Sequence, residues 1–204
     1  MNEEFTFRVV FWLQLILIMI FNRILPALLA KKYGIRLSPD RQAIVNEGKL
    51  LFAFRVVAGI MVAVVIVIYT LFPAYNTRFR YPLPGSLRWT GVFVSSVSLL
   101  FWIYSQKVLD MNWSTNLKIQ KQHRLVTSGP YRVMRHPIYT AMIIWLLGLA
   151  VFTANLLFAA IAVVAILWIP PRISKEEKMM IGQFGDEYLG YMRTTGKYLP
   201  KIRR

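Results

Sequence analysis

The 204-residue sequence contains no cysteine and only two histidines. Disulfides and thiol chemistry are excluded, and a dedicated zinc site, which draws on Cys and His ligands, is disfavoured. Acidic side chains are scarce as well: nine Asp and Glu stand against 25 Lys and Arg, a formal net charge of +16. The sequence has no Gly-x-Gly-x-x-Gly after a strand pattern, no phosphate-binding P-loop and no His-Glu-x-x-His. Nothing therefore points to a Rossmann cofactor fold, a P-loop nucleotidase or a zinc protease. Internal repeats and low-complexity tracts are absent too. The acidic start Met1-Asn2-Glu3-Glu4 leads into a long apolar run without a small-residue cleavage site, unlike a removable signal peptide.

What the sequence has in excess is apolar surface. It is 56% hydrophobic and 17% charged, and the apolar residues come in blocks long enough for a bilayer. The expected spans are residues 5–30, 50–72, 89–109, 138–152 and 156–169. Pro26 should kink or shorten the first, and Arg55 lies close enough to the start of the second to snorkel. Trp89 and Trp102 of the third suit interface or packing positions. The last two blocks hold only about fifteen residues each against the roughly twenty of a full crossing. With Thr153-Ala154-Asn155 between them they predict a tight helical hairpin, in which Asn155 is a turn former and Pro170-Pro171 ends the second arm. From Ser174 to about Arg193 an amphipathic helix is expected, with Glu177, Met180, Ile181, Phe184, Tyr188 and Tyr191 on one face. The fold class is thus an all-α integral membrane protein: a single domain over residues 1–204, with about five transmembrane helices and a C-terminal amphipathic helix.

The basic residues orient it. Five lie in residues 31–49, six between Lys107 and Arg135 and eight after Pro171, nineteen on one side, against four on the other (Arg8, Arg78, Arg80 and Arg88). The positive-inside rule puts the N-terminus outside and both polar regions, 107–137 and the C-terminal tail, in the cytoplasm. On a soluble chain such a charge would suggest nucleic acid. Next to apolar spans it suggests anionic lipid headgroups instead.

Polar groups at the mouth of a membrane helix are costly unless they have a role, which draws attention to Ser128–Tyr139. Arg135-His136-Pro137-x-Tyr139 joins a guanidinium fork suited to carboxylate or phosphate with an imidazole that exchanges protons near neutrality. Pro137 suits a first helical position. An interfacial anchor explains the same residues equally well. In Ser174-Lys175-Glu176-Glu177, Ser174 and Glu177 fit a helix capping box. Glu176 has no capping role and could hold ribose hydroxyls or a cationic ligand group. Asn112-Trp113-Ser114 forms a polar-aromatic turn whose Trp113 could stack on a ligand or rest in the interface, and His123 reads as a solvated loop residue.

Taken together, these residues resemble the isoprenylcysteine carboxyl methyltransferase family and the related membrane phospholipid methyltransferases. The similarity is carried by Asn112-Trp113-Ser114, Leu125-Val126-x-x-Gly129-x-Tyr131, Arg135-His136-Pro137-x-Tyr139, Glu176-Glu177, Phe184-Gly185-x-Glu187-Tyr188-x-x-Tyr191 and Pro200. It covers roughly residues 107–200, the expected catalytic core. The resemblance implies a membrane enzyme that transfers a methyl group from S-adenosylmethionine to a lipophilic acceptor arriving from the bilayer, either the carboxylate of a prenylcysteine-like molecule or a lipid headgroup. It implies that Leu125, Val126, Gly129, Tyr131, His136, Pro137 and Tyr139 line the cofactor pocket. Glu176 and Glu177 would approach the cofactor's ribose or amino group, and Arg135, Arg172 and Arg193 would orient an anionic acceptor. An activated methyl donor needs little beyond an in-line acceptor, so His136 is expected to bind rather than to carry protons. Where relatives often have Gly soon after His-Pro-x-Tyr, this chain has Thr140-Ala141. Two other readings compete. One is an NADPH-dependent sterol-type membrane reductase, whose similar motif reads Arg-His-Pro-Asn-Tyr-Gly where this chain has Ile138 and Thr140. The other is a non-enzymatic membrane protein that binds anionic lipid.

Overall fold

A computed structural model describes residues 3–24, 26–28, 41–110 and 124–201. Asn112-Trp113-Ser114 and His123 lie outside the described residues, as do 31–40 and part of the first expected span. The elements are α1 (Glu3–Met19), α2 (Arg41–Glu47), α3 (Lys49–Leu71), α4 (Pro73–Thr77), α5 (Gly85–Leu109), α6 (Pro137–Thr153), α7 (Leu156–Phe184) and α8 (Asp186–Thr194). Among the described residues β pairing is confined to two isolated bridges, Arg80 with Asn155 and Met134 with Gly196. Four helices are long and apolar enough to cross a membrane, and α6 is a shorter apolar helix. The chain is an integral membrane protein. α1 widens into a π turn over Ile20–Ile24 just before Pro26, as expected where a helix meets a residue with no N–H to donate.

The hairpin differs from expectation in its second arm. Helix α7 does not stop at Pro170-Pro171 but runs on to Phe184. Proline's fixed φ is itself helical; what is lost is two N–H donors. Within a bilayer, ending the helix there would strand more backbone groups than that. Ser174 consequently sits inside the helix, where its Oγ donates to the Pro170 carbonyl at 3.0 Å, and it forms no capping box with Glu177. The cap of α7 is Asn155, whose side chain accepts from the Leu157 N–H at 2.8 Å. The expected amphipathic helix 174–193 is likewise two pieces, the end of α7 and α8. They are separated at Gly185, whose φ of 53° lies where glycine alone is unstrained.

The bundle is locked by small residues and a few buried polar groups. α5 and α6 cross so closely that a Cβ on Gly91 would lie 2.7 Å from the Phe152 backbone nitrogen, and one on Gly148 would lie 2.8 Å from that of Ser95. Such close approach is how membrane helices gain packing energy when lipid offers no hydrophobic drive. At mid-depth Gln14 of α1 donates to Ser95 (2.9 Å) and Ser96 (3.0 Å) of α5 and accepts from Trp145 Nε1 of α6 (2.9 Å). One end of the bundle carries Glu4 paired with Arg80 and Arg88. The buried Asn155 side chain donates to Asn76 there at 2.5 Å. The segment after α4 hooks onto the hairpin turn through Tyr81 N to Ala154 O (3.1 Å) and Leu156 N to Phe79 O (2.8 Å). The opposite end gathers α2, residues 124–136, the polar extension of α7 and α8. By this packing Gly148→Ala should lower the thermal midpoint in detergent, a loss of about 1–3 kcal/mol from overpacking. Gly182→Ala, whose Cβ would meet nothing within 4 Å, should leave the midpoint unchanged or raise it.

Candidate functional site

Two carboxylates organise the end of the bundle that holds α2 and α8. Glu177, buried on α7, accepts from Arg135 Nε at 3.0 Å and Lys197 Nζ at 3.1 Å, and lies 3.1 Å from His136 Nε2. That last contact is a hydrogen bond when Nε2 carries the proton. Arg135 also donates through Nη1 to the carbonyls of Met192 (3.2 Å) and Thr195 (2.5 Å). The backbone reinforces this join: Arg135 N donates to Gly196 O (2.8 Å), His136 N to Lys197 O (3.1 Å) and Gly196 N to Val133 O (3.1 Å). Thr140 Oγ1 donates to Tyr198 O at 2.8 Å. The Arg-His-Pro-x-Tyr motif and the C-terminal segment thus form one continuous wall. Pro137 is the first residue of α6, and the restriction it puts on the preceding residue keeps His136 out of the helical conformation, at φ −125° and ψ 55°, at the helix mouth.

Glu47, the second carboxylate, sits at the α2–α3 corner and is 1% exposed. It accepts from Arg55 Nε (3.0 Å) and Nη2 (2.9 Å) and from Arg172 Nη1. Arg172 Nε donates to the Tyr139 hydroxyl at 3.0 Å, and that hydroxyl donates to Glu176 Oε2 at 2.8 Å. Between the two carboxylates lies an aromatic group. The His136 and Tyr139 ring centroids are 5.9 Å apart and those of Tyr188 and Tyr191 are 5.8 Å apart. Tyr191 donates to the Tyr131 carbonyl at 2.6 Å. The Tyr131 hydroxyl is buried and has no hydrogen-bond partner. Burial raises the pKa of Tyr131, with the Glu176 charge adding to it. Burial and then the Glu177 and Glu176 charges do the same for Tyr188, and burial pushes Tyr191 up to about 12. These phenols stay protonated at neutral pH, and Tyr191 is the one seen to donate.

Of the residues expected at the site, Tyr131, Arg135, His136, Pro137, Tyr139, Arg172, Glu176 and Glu177 converge here. Leu125 and Val126 are half-buried on the irregular approach to the 3₁₀ turn Gly129–Arg132. Gly129, with φ 54°, packs that turn against Tyr104 and Val108 of α5. Arg193 stands exposed in the last turn of α8, outside the carboxylate cluster. Arg135 and Arg172 are each neutralised by a protein carboxylate. The open groove lined by Arg80, Tyr81, Pro82, Leu83 and Pro84 is at the other end of the bundle and takes no part.

Residues 89–182 match the family described as isoprenylcysteine carboxyl methyltransferase (ICMT). The matched segment therefore holds the Arg-His-Pro-x-Tyr motif, Arg172 and both Glu176 and Glu177. A probable protein-S-isoprenylcysteine O-methyltransferase of Oryza sativa subsp. indica is 39% identical over 41% of this chain and 44% of that protein. The cobalt-zinc-cadmium resistance protein CzcN of Cupriavidus metallidurans is 28% identical over 58% of this chain and 56% of its own length. The chain thus spans about half the length of the curated relatives it matches. The fold is similar to the solved structure of the eukaryotic intramembrane Ras methyltransferase ICMT. That match has a TM-score of 0.55 and 24% identity, covering 74% of this chain and 53% of that one.

Sequence reasoning missed Glu47 and Lys197, both outside the ICMT segment. Their signal was faint. Glu47 is one of only nine acids, placed at the mouth of an apolar span with Arg55 two helical turns further on. Because Glu177 is shared by three donors, Glu177→Ala should leave buried cationic groups uncompensated, a loss on the order of 3 kcal/mol. It should also release the C-terminal segment. Faster tryptic cleavage after Lys197 and Lys201 than in the unaltered protein is the expected readout.

Proposed function

We propose that this protein is a membrane methyltransferase that uses S-adenosylmethionine to methylate a lipophilic acceptor reaching the site from the bilayer. Residues 1–204 would act as one membrane unit and residues 107–200 as its catalytic core. The observation that carries this reading is the meeting of Arg135-His136 with Glu176-Glu177 within the ICMT-matched residues 89–182, closed by the C-terminal segment that follows them. The residues present fit the cofactor. Among the described residues Glu176 Oε1 has no hydrogen-bond partner, leaving an acceptor for hydroxyl or amino groups, and the Tyr131 hydroxyl is a buried donor without an acceptor. Neighbouring tyrosine faces and carboxylates suit a sulfonium cation. When bound, the cofactor supplies an already activated methyl group.

On this reading Leu125, Val126, Gly129, Tyr131, His136, Pro137 and Tyr139 line the cofactor side, and Glu176 holds its polar groups. Glu177 serves less as a ligand than as the tie between His136, Arg135 and Lys197. With His136 committed to Glu177, the imidazole orients the wall and does not shuttle protons. Because Glu177 and Glu47 already compensate Arg135 and Arg172, these arginines would orient a prenylcysteine-like carboxylate or a lipid headgroup by hydrogen bonding and not by net charge. Arg193, exposed on α8, would meet an acceptor only at the outer rim. The excess of basic residues at this end supports a cytoplasmic site, with the N-terminus on the other face of the membrane.

Calorimetric titration of the purified protein with S-adenosylhomocysteine should show binding, and titration with NADPH should not. Binding of NADPH alone would replace this reading with a reductase, and binding of neither would leave a lipid-binding scaffold. Glu176→Ala should weaken S-adenosylhomocysteine binding about tenfold or more, the effect of removing a charged hydrogen-bond partner, with an unchanged thermal midpoint. Incubation with methyl-labelled cofactor and fractionated lipid extract should then transfer label to an acceptor in the lipid phase.

A further inference from the structure

Glu47 lies outside the ICMT-matched residues 89–182, yet it is the most deeply buried acid of the site. Resting on the methyltransferase reading, we propose that Glu47 is a positioning residue of the cofactor site, acting through Arg172 and Tyr139 on Glu176.

The direction of each hydrogen bond in this chain is fixed by chemistry. A guanidinium can only donate, so Tyr139 must accept from Arg172 Nε at 3.0 Å. Its own hydrogen is thereby left for Glu176 Oε2 at 2.8 Å. The guanidinium is a rigid plane, and the Glu47 carboxylate on Nη1 sets the angle of that plane and hence the aim of Nε. The face of the Trp168 ring, 5.1 Å from the guanidinium carbon, supports the same orientation. With Glu47 neutralised, the guanidinium loses the anion that fixes its plane, and Nε no longer holds the Tyr139 hydroxyl on Glu176.

The corner bearing Glu47 is docked to α7 independently of this ion pair. Asn46 Nδ2 lies 3.8 Å from Met179 Sδ, and Gly48, with φ 83°, leaves the space in which the end of Lys175 rests. Stability alone is a poor reason to gather charge here, because a buried ion pair contributes little net stability once desolvation is counted. Three of the chain's nine acids nevertheless meet at this end.

The test is calorimetry of S-adenosylhomocysteine binding to the full-length protein in detergent, with thermal melting alongside. Binding by the unaltered protein is the check on the methyltransferase reading, and its absence would overturn that reading and this inference together. Given that binding, Glu47→Gln should weaken affinity about tenfold. In a Tyr139→Phe background, where the chain to Glu176 is already cut, Glu47→Gln should cause no further loss. Equal fold-losses in both backgrounds, or no loss in the single variant, would overturn the positioning role while leaving the methyltransferase reading intact. Should Glu47→Gln fail to fold, Glu47→Asp, which keeps the charge but withdraws the carboxylate by one methylene, is compared in the same two backgrounds with the same criteria.

Discussion

The described end of this bundle depends on one shared carboxylate. Glu177 projects from the polar extension of α7 and is held by Arg135 and His136 from the mouth of α6 and by Lys197 from the segment after α8. The donors come from two separate local structures, and only a buried anion makes their convergence favourable: the Arg135 and Lys197 cations without it would repel, and the anion without its donors would be badly desolvated. The Arg-His-Pro-x-Tyr wall, the C-terminal bridge to Met134 and the placing of Glu176 one residue away all follow from it. Glu47 repeats the arrangement on the other side with Arg55 and Arg172. Tyr139 and Glu176 thus sit between two compensated ion clusters and not on a loop free to choose its shape.

The membrane-embedded part answers a different problem. Lipid gives helices little reason to associate, and only Val65 and Tyr69 of α3 are buried. Specific association comes instead from the Gly91–Gly148 crossing, from Gln14 reaching Ser95, Ser96 and Trp145, and from the Glu4–Arg88–Arg80 cluster at the far end. Arg88 is buried, donates to the Phe152 carbonyl at 2.8 Å and lies with its guanidinium carbon 3.9 Å from the Phe7 ring centroid. Polar contacts at both ends and one at mid-depth fix the helices in register, and the functional end inherits that register.

Much of this was legible in the sequence because a bilayer imposes length and polarity on each segment. The apolar blocks gave the helices, and the asymmetry of Lys and Arg put residues 107–137 and the tail on one side, which matches the 3.0 Å contact between Arg135 and Glu177. What misled was local chemistry whose outcome depends on the medium. Pro170-Pro171 reads as a stop in water, yet a helix in lipid retains more backbone bonds by passing through it. Ser174 and Glu177 have the spacing of a capping box, but no helix starts there. Glu47 was invisible because its partners, Arg55 and Arg172, are 8 and 125 residues away, and only the fold shows that the second distance closes. Arg193 was placed at the site by the family resemblance alone, and it stands exposed in the last turn of α8.

The bridge between Met134 and Gly196 has a consequence for synthesis. Arg135 waits for carbonyls about sixty positions later in the chain, and the hairpin of α6 and α7 lies between the two. The helices can therefore be threaded into the bilayer while the wall at Arg135-His136 is still one-sided. The join at Arg135 is completed only when the last described residues fold back. Assembly of the site is then a separate event from insertion, and damage to the tail would yield a correctly inserted protein with a permanently open site.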